Sequence, residues 1–365
     1  MKTMEFGLVG RTAEGFFRYQ AWPTVARGAD GTLYAASSGH RLGHVCPFGK
    51  NLLYISTDEG KTWRGPQIIN DTYMDDRDAG LCAWGEGNLL LSWFNSTMEG
   101  LDKREARTPL LSTPMAKAVR DTWRTLSEED NLAASFVRLS RDKGMTWGER
   151  VQVPVTSPHG PVRRADGSLF YLGKVFRYLK EDYVQGQICA VESRDDGATW
   201  HRLGYVPVPA GKDIQFIHEP HAIELPNGRI LGGIRISGND DRSANTVYTT
   251  FSDDGGKTWT EPQPTGATGT PPHFLLHSSG AVILTYGRRV DPMVEMAMIS
   301  YDGGQTWSDE IIISPESPDW DLGYPSSVEL SDGSILTVYY QKYGNDTYNS
   351  ILYTKWQLPK QYGEQ

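Results

Sequence analysis

The sequence predicts an all-β protein, folded as a six-bladed β-propeller with four-stranded antiparallel blades. Two interleaved repeats and the composition support this prediction. The chain has 365 residues, including 39 Gly, 21 Pro, 11 Trp, 18 Tyr and 11 Phe. Many glycines, prolines and aromatic residues are typical of β proteins with frequent turns. We expect a single propeller domain over residues 1–365.

The first repeat is an octapeptide with the pattern Ser-x-Asp-x-Gly-x-Thr-Trp. Its Asp can bond the backbone ahead of it, its Gly can adopt a positive φ, and its Trp can anchor the turn. The pattern therefore predicts a self-contained turn between two strands. The five copies are Ser56–Trp63, Ser140–Trp147, Ser193–Trp200, Ser252–Trp259 and Ser300–Trp307.

The second repeat is a β run, a turn ending in Gly, and another β run. Six copies predict six radial sheets. Five of them are followed by the octapeptide, so we expect another part of the chain to complete the last blade. The six glycines are Gly31, Gly87, Gly167, Gly228, Gly280 and Gly333.

The longest interval between these glycines contains a stretch without β pattern, at about residues 96–131. Within it, Met115–Glu129 places Ala118, Trp123 and Leu126 among charged residues at near-helical spacing. We expect a helical insertion in or after blade 2.

Composition excludes several classes of partner. The chain carries 36 Lys+Arg against 45 Asp+Glu, a formal charge of −9, and nucleic acid or anionic lipid requires a basic surface. No apolar stretch approaches the roughly 20 residues of a membrane helix. Three unpaired cysteines and the lack of an apolar run in residues 1–15 predict a cytoplasmic protein. Oligomeric state is not readable from the sequence.

Strand geometry predicts which residues ring the channel mouth. A strand rising about 3.3 Å per residue crosses a blade in about seven to nine residues. Counting back from each glycine gives Ala21–Pro23, Asp76–Asp78, His159, His218–His221, His273 and Tyr324. Counting forward gives His40–Arg41, Asn95, Lys174, Arg235, Arg288–Arg289 and Gln341–Lys342. This clustering of histidines and charges predicts a binding or catalytic site.

The octapeptides resemble the Asp boxes of sialidases and other propellers with the bacterial neuraminidase repeat. HEPHAIELPNGRILGGIR, from His218 to Arg235, resembles the sialidase stretch Glu-x-x-x-x-Glu-Leu-x-x-Gly with its following Arg. GYPSSVEL resembles the family's Tyr-Ser-x-Leu segment. The resemblance implies that Glu219 and Tyr324 are the catalytic pair.

The resemblance also implies a carboxylate clamp, with Arg235 as one arginine and Arg289, or its neighbour Arg288, as another. Arginine binds carboxylates bidentately. Sialidases differ from most glycosidases in using Tyr as nucleophile. A phenol with pKa near 10 needs a base such as Glu219 to accept its proton.

Two departures from the sialidase pattern stand out. Ala21 lies where the first clamp arginine belongs, so Arg18 or Arg41 is the expected replacement. The segment that usually supplies the carboxylate orienting that arginine reads Val338–Gln341, without an acid.

The second departure concerns the general acid. The family's acid is an Asp on a blade 1 loop, but here Ser38–Asn51 contains no carboxylate. Asp78 or Asp76 is the expected replacement, and failing these His44.

The sequence therefore predicts an exo-acting glycoside hydrolase that removes a terminal acidic sugar, sialic acid or a related one, from an oligosaccharide. It predicts no cofactor and no metal, since no H-x-E-x-x-H or similar spacing is present. Two alternatives remain open: a polysaccharide lyase acting on uronates, and a non-catalytic glycan-binding propeller. The histidines expected to donate protons or contact sugar are His159, His218, His221 and His273.

Overall fold

The computed structural model describes residues 4–12, 14–96, 101–103, 109–178, 182–238 and 244–359. Its strands form six antiparallel sheets, and the fold is the predicted six-bladed propeller. In blades 1 to 5 the strands follow chain order from the central channel outward. Blade 3 carries one additional short strand.

The strand bounds follow the blades. Blade 1 contains β2 (Tyr19–Arg27), β3 (Leu33–Arg41), β4 (Lys50–Ser56) and β5 (Arg64–Asn70). Blade 2 contains β6 (Asp76–Trp84), β7 (Asn88–Asn95), β8 (Ser135–Ser140) and β9 (Val151–Val153). Blade 3 contains β10 (Val155–Thr156), β11 (Val162–Arg163), β12 (Leu169–Val175), β13 (Ile188–Ser193) and β14 (His201–Tyr205).

The other three blades have the same plan. Blade 4 contains β15 (Ile217–Glu224), β16 (Ile230–Ile236), β17 (Thr246–Ser252) and β18 (Gln263–Pro264). Blade 5 contains β19 (His273–Leu276), β20 (Val282–Arg288), β21 (Val294–Ser300) and β22 (Ile311–Ile312). Blade 6 contains β23 (Gly323–Glu329), β24 (Ile335–Lys342), β25 (Asn349–Trp356) and, outermost, β1 (Glu5–Gly10).

The first strand of the chain closes the ring. β1 pairs antiparallel with β25, so the N-terminal segment supplies the outer strand of blade 6. This confirms that another part of the chain completes the last blade. Because β1 covers the outer edge of β25, the last blade has four strands like the others, and this pairing of the two ends of the chain stabilises the propeller.

The Asp boxes form the predicted turns. In the second copy, Ser140 Oγ donates to Asp142 Oδ1 at 2.8 Å and accepts from the Gly144 amide at 2.9 Å. Asp142 also accepts the backbone N–H and the hydroxyl of Thr146. The indole of Trp147 donates to the Gly144 carbonyl, but this ring is only partly buried. The turn satisfies its own polar groups and needs no ligand.

The insertion contains the predicted helix. A 3₁₀ turn at Pro109–Ser112 leads into α1 (Pro114–Trp123), whose N-cap Thr113 accepts from the Ala116 amide. The buried face of α1 differs from the predicted one, since Ala118 is exposed and Ala116 is buried. Trp123 packs with Leu101, Leu111 and Met74 in a small core. Residues 97–100 and 104–108 of the insertion lie outside the described residues.

No helix among the described residues is long and apolar enough to cross a membrane. Cys46, Cys82 and Cys189 are buried free thiols.

Candidate active site

A pocket of about 350 Å³ lies where the inner strands begin, on the side of the propeller that was predicted. It is the place where several candidate residues meet. The residues lining it are Trp22, His44, Arg77, Asp78, Phe94, Ser96, Leu101, Phe176, Glu219, Arg235, Arg289 and Tyr324.

A repeated backbone feature brings four of these side chains to the pocket. Trp22, Asp78, Glu219 and Tyr324 each lie on the innermost strand of a blade, and their φ angles are 53°, 47°, 42° and 56°. Each falls within a break in strand pairing. A bulge redirects a side chain, and a positive φ is unfavourable for a residue with a Cβ. Four bulges of one kind around one pocket indicate a functional site.

Tyr324 and Glu219 form a direct pair. The Tyr324 hydroxyl donates to Glu219 Oε1 at 2.7 Å, and Arg235 Nη1 donates to Glu219 Oε2 at 2.5 Å. Burial opposes ionisation of Glu219, but the Arg235 charge and these hydrogen bonds hold its pKa below the ordinary value. Burial, followed by the charges of Glu219 and Asp78, raises the pKa of Tyr324 well above the ordinary value. The pair is therefore a protonated phenol beside a carboxylate base.

Arg289 lies beside the ring of Tyr324. Its guanidinium is 5.6 Å from the centre of the Tyr324 ring. Its Nε donates to the Leu322 carbonyl at 2.9 Å, and its Nη2 donates to the Tyr340 hydroxyl at 3.0 Å. Arg235 is held similarly, with Nε donating to Ser237 Oγ at 3.0 Å. Two fixed arginines thus face one pocket, which suits an anionic ligand.

Asp78 is a carboxyl group that titrates near neutral pH. Burial, opposed by the Arg77 charge and assisted by the charge of Glu219, raises its pKa to about 7. Its carboxyl makes no hydrogen bond to the described residues, although it lines the pocket. A buried acid with pKa near 7 suits general acid catalysis at neutral pH.

Trp22, which follows Ala21 in the chain, lines the pocket. The guanidinium of Arg77 lies 4.3 Å from the centre of its ring, and that of Arg41 lies 4.9 Å away. Arg77 lines the pocket, whereas Arg41 is fully buried behind it. Arg77 therefore brings a third guanidinium to the pocket.

Part of the pocket lining is apolar. Phe94 and Phe176 meet edge to face with ring centres 5.4 Å apart, and Leu101 from the insertion also lines the pocket. The core formed by Trp123 fixes Leu101. The insertion thus contributes directly to the pocket.

His44 enters the pocket from the blade 1 loop. Its Nδ1 donates to Asp321 Oδ1 at 2.9 Å, since an ionised carboxylate only accepts. Burial lowers the pKa of His44 despite the opposing effect of Asp321. The imidazole is therefore neutral at neutral pH in the free protein.

Asp76 does not lie in the pocket, which corrects its predicted catalytic role. Its carboxylate is fully buried and accepts the backbone N–H and hydroxyl of Thr72, at 2.8 Å each, and the Asn95 amide at 2.6 Å. Burial raises its pKa to about 7, but no substrate can reach it. Asp76 fixes the loop that precedes β6.

The two expected replacements for the missing arginine also lie elsewhere. Arg41 is fully buried and donates to both oxygens of Asp75, at 2.6 and 3.2 Å. Arg18 stacks on Tyr348 at 4.4 Å and lines a separate small recess. Neither side chain lines the pocket, because each is engaged by its own partner.

Of the two neighbouring arginines, Arg289 is the one in the pocket. Arg288 donates to the Asp291 carbonyl at 3.0 Å and lies 3.9 Å from Glu310. Because consecutive side chains at the end of a strand point to opposite sides, Arg289 faces the pocket and Arg288 does not.

Three of the predicted histidines form a cluster in the central channel. His159, His221 and His273 are buried, with ring centres 4.5 to 5.7 Å apart. They line a different cavity, and the His159 ring lies 6.5 Å from the Tyr324 ring. Burial lowers the pKa of all three. Their predicted contact with sugar is therefore corrected, because they line this other cavity and not the pocket of Tyr324.

His218 is likewise outside the pocket lining, and its Nδ1 accepts from Lys174 Nζ at 3.1 Å. Within the part of the chain that the structure describes, no group of three or more His, Cys, Asp or Glu side chains is arranged to hold a metal ion.

Sequence reasoning missed the binding potential of Arg77 and the presence of Asp321. Arg77 was within the predicted mouth segment, but the sequence does not show the bulge that follows it. Only the structure shows that its side chain lines the pocket. Asp321 lies in a loop before β23, where counting along strands gives no signal.

Six blades, five Asp boxes and a polar pocket at the channel mouth define a sialidase-like β-propeller. The family described as BNR repeat-like domain matches residues 115–339, and the BNR/Asp-box repeat matches residues 54–64. The first match covers more than half of the chain, so the chain belongs to the BNR repeat-like domain family.

A curated sialidase from Micromonospora viridifaciens is 24% identical over 351 residues, which covers 89% of this chain and 50% of that protein. The chain therefore spans about half the length of this relative.

Solved structures show the same fold. A protein of unknown function from Dyadobacter fermentans superposes with a TM-score of 0.76 at 20% identity, over 98% of this chain and 100% of that one. A Hadza microbial sialidase superposes with a TM-score of 0.64 at 16% identity, over 97% of this chain and 68% of that one. An intramolecular trans-sialidase from Ruminococcus gnavus gives 0.58 at 16% identity, over 96% of each chain.

Proposed function

We propose that this protein is an exo-acting glycoside hydrolase of the sialidase type that releases a terminal acidic sugar from an oligosaccharide. The observation that carries the proposal is the 2.7 Å hydrogen bond from Tyr324 to Glu219 in a pocket with three guanidinium groups. A base next to a phenol creates a nucleophile, and guanidinium groups select an anionic sugar.

Substrate binding is assigned to Arg235 and Arg289. Both line the pocket, and both are fixed by hydrogen bonds to protein groups. Because both line the same pocket as Tyr324, they suit a sugar carboxylate adjacent to the carbon under attack. Preorganised donors of this kind bind an anion with little loss of side-chain entropy.

In the first chemical step, Tyr324 Oη attacks the anomeric carbon and Glu219 accepts the phenolic proton. The bond from that carbon to the leaving oxygen breaks, and Asp78 donates a proton to this oxygen. A neutral phenol approaches an anionic substrate without the charge repulsion that a carboxylate nucleophile would meet. The step leaves a sugar bonded to Tyr324, a protonated Glu219 and an ionised Asp78.

In the second step, water attacks the same carbon and the bond to Tyr324 Oη breaks. Glu219 returns its proton to the phenol, while Asp78 accepts a proton from the water. All three groups regain their starting state. Two displacements at one carbon give a product with retained configuration.

The experiment is fluorescence release from a panel of 4-methylumbelliferyl glycosides, comprising the sialoside, the glucuronide and neutral hexosides. We expect release from an acidic sugar only, and a loss of release in Glu219→Gln. Release from a neutral hexoside alone would contradict the clamp. No release from any glycoside, with an ultraviolet-absorbing product from a polyuronate, would replace the hydrolase by a lyase.

A further inference from the structure

One side chain of the pocket has no place in the steps above. His44 lines the pocket beside Trp22, with the two rings edge to face at 5.1 Å. Its Nδ1 is bound to Asp321, a residue 277 positions away. An imidazole held at one nitrogen presents the other in a fixed direction.

Asp321 is itself rigidly placed. Its Oδ2 accepts from the Tyr19 hydroxyl at 2.9 Å, and its Oδ1 accepts from the Tyr340 hydroxyl at 3.0 Å. Three donors on one carboxylate keep it ionised, and its pKa lies below the ordinary value despite burial. This arrangement makes Nδ1 of His44 the protonated nitrogen and leaves Nε2 for the pocket. Nε2 makes no hydrogen bond to any described residue.

The same carboxylate connects His44 to the clamp. Arg289 Nη2 donates to the Tyr340 hydroxyl, which donates to Asp321 Oδ1, which accepts from His44 Nδ1. Each link is between 2.9 and 3.0 Å. Only Tyr340 and Asp321 lie between Arg289 and the His44 imidazole in this chain of hydrogen bonds. A ligand that neutralises Arg289 can therefore affect the imidazole.

The charges around His44 determine its protonation. Burial lowers its pKa, Asp321 raises it, and Arg77 and Arg289 lower it. Arg77 Nη1 and Arg41 Nη2 both donate to its backbone carbonyl at 3.1 Å, and the charge of Arg41 is matched by Asp75. Tyr19 and Trp320 complete its surroundings. An anion in the pocket offsets the charges of Arg77 and Arg289 and so favours protonation of His44.

We propose that His44 is a proton-dependent member of the anion clamp, which takes up a proton when an acidic sugar binds Arg235 and Arg289 and then donates a hydrogen bond from Nε2 to that sugar. Asp321 is the positioning residue that holds the imidazole and balances its charge. The assignment rests on the proposed function, since it concerns the same pocket and the same anionic substrate.

The sign of the pH dependence follows from proton uptake. Binding raises the pKa of His44, so affinity is highest below the pKa of the free imidazole and falls as pH rises towards the pKa in the complex. With Asp78 replaced by Asn, a clamp of arginines alone would show no such dependence in this range, because guanidinium groups remain charged.

A ligand-free experiment tests the electrostatic part. The pKa of His44 is measured by NMR of protein carrying ¹³C-labelled histidine, with the signal assigned by its absence in His44→Asn. We expect a value below the ordinary range in the wild type and a rise of at least about half a pH unit in Arg77→Gln. His40, on the same loop but lining another cavity, is the internal control and should not move. An unchanged His44 signal in Arg77→Gln would overturn the proposal.

A binding experiment tests the proton itself. Calorimetry in buffers of different ionisation enthalpy is run with N-acetylneuraminic acid and with glucuronic acid on Asp78→Asn, so that Asp78 does not contribute. We expect an uptake approaching one proton near pH 7, abolished by adding either His44→Asn or Asp321→Asn. Binding with no uptake would overturn the proposal. If His44-dependent proton uptake is measured but no glycoside of the panel is cleaved, the proposed hydrolase fails while the clamp assignment stands.

Discussion

The hydroxyl of Tyr324 donates a 2.7 Å hydrogen bond to Oε1 of Glu219, although the two residues are 105 positions apart. Both lie at bulges on inner strands, and both have a positive φ. Arg235 binds the second oxygen of the same carboxylate. Because Arg235 keeps Glu219 ionised while burial keeps Tyr324 protonated, the pair is already arranged for proton transfer.

Tyr324→Phe should lower kcat/KM by about 10²-fold or more, because it removes the nucleophile and leaves the pocket shape nearly unchanged. Steady-state kinetics on the acidic glycoside that is cleaved by the wild type gives this ratio. Tyr301→Phe alters a half-exposed tyrosine and serves as the control. Equal activities of the two variants would remove Tyr324 from the mechanism.

Asp78 should produce the alkaline limb of the pH profile. Its pKa is about 7, and the acid form is the active one, so kcat/KM should fall about tenfold per pH unit above that value. Asp78→Asn should lower the rate and abolish this limb. Asp76→Asn is the matched control, since Asp76 has a similar pKa but faces Thr72 and Asn95. A limb that disappears in Asp76→Asn and persists in Asp78→Asn would reverse the assignment.

The two adjacent arginines should differ sharply in their effect on substrate affinity. Arg289→Lys removes a planar donor from the pocket and should raise KM by at least about tenfold. Arg288→Lys changes a side chain that donates to the Asp291 carbonyl and should leave KM within about twofold. Parallel kinetics of both variants measure this difference. Similar KM values would show that the clamp does not use Arg289.

The buried ion pair behind Trp22 should affect stability. The Arg41 and Asp75 side chains have no exposed surface, and their charged atoms lie 2.6 Å apart. The pair is tightly enclosed, since a Cβ atom at Gly49 would lie 2.0 Å from Arg41 Nη1. Arg41→Met leaves Asp75 buried beside Arg77 alone and should cost about 3–5 kcal/mol of unfolding free energy. Urea unfolding, monitored by tryptophan fluorescence, measures this loss of unfolding free energy. Arg141→Met, at an exposed arginine, is the control. A loss no larger than that control would contradict the assigned role.

The Asp boxes should contribute to stability and not to catalysis. Ser140→Ala removes buried hydrogen bonds to Asp142 and Gly144 and should cost about 1–3 kcal/mol. The value of kcat/KM should stay at the wild-type level at a temperature where the variant is folded. A selective loss of kcat/KM with unchanged unfolding would place the box in the function of the pocket.

The candidate site was predicted best where the repeat and the resemblance to sialidases point to the same residues. Glu219, Arg235, Tyr324 and Arg289 all lie at the ends of strands whose lengths follow from the repeat, and the structure places all four in the pocket. The choice between Asp76 and Asp78 failed because a bulge breaks the two-residue alternation of side chains between Arg77 and Gly80. The bulge positions carry a partial sequence signal, since Trp22, Glu219 and Tyr324 each precede a proline.

The sequence by itself determined the number of blades, the turn at each Asp box and the side of the propeller that carries the pocket. These properties depend on interactions within a few residues, which a repeat makes visible. Tertiary structure alone decided that Arg77 stacks on Trp22 at the pocket, and that His44 pairs with Asp321. Both contacts join different blades, His44 and Asp321 being 277 positions apart, and their geometry depends on how neighbouring blades pack around the channel.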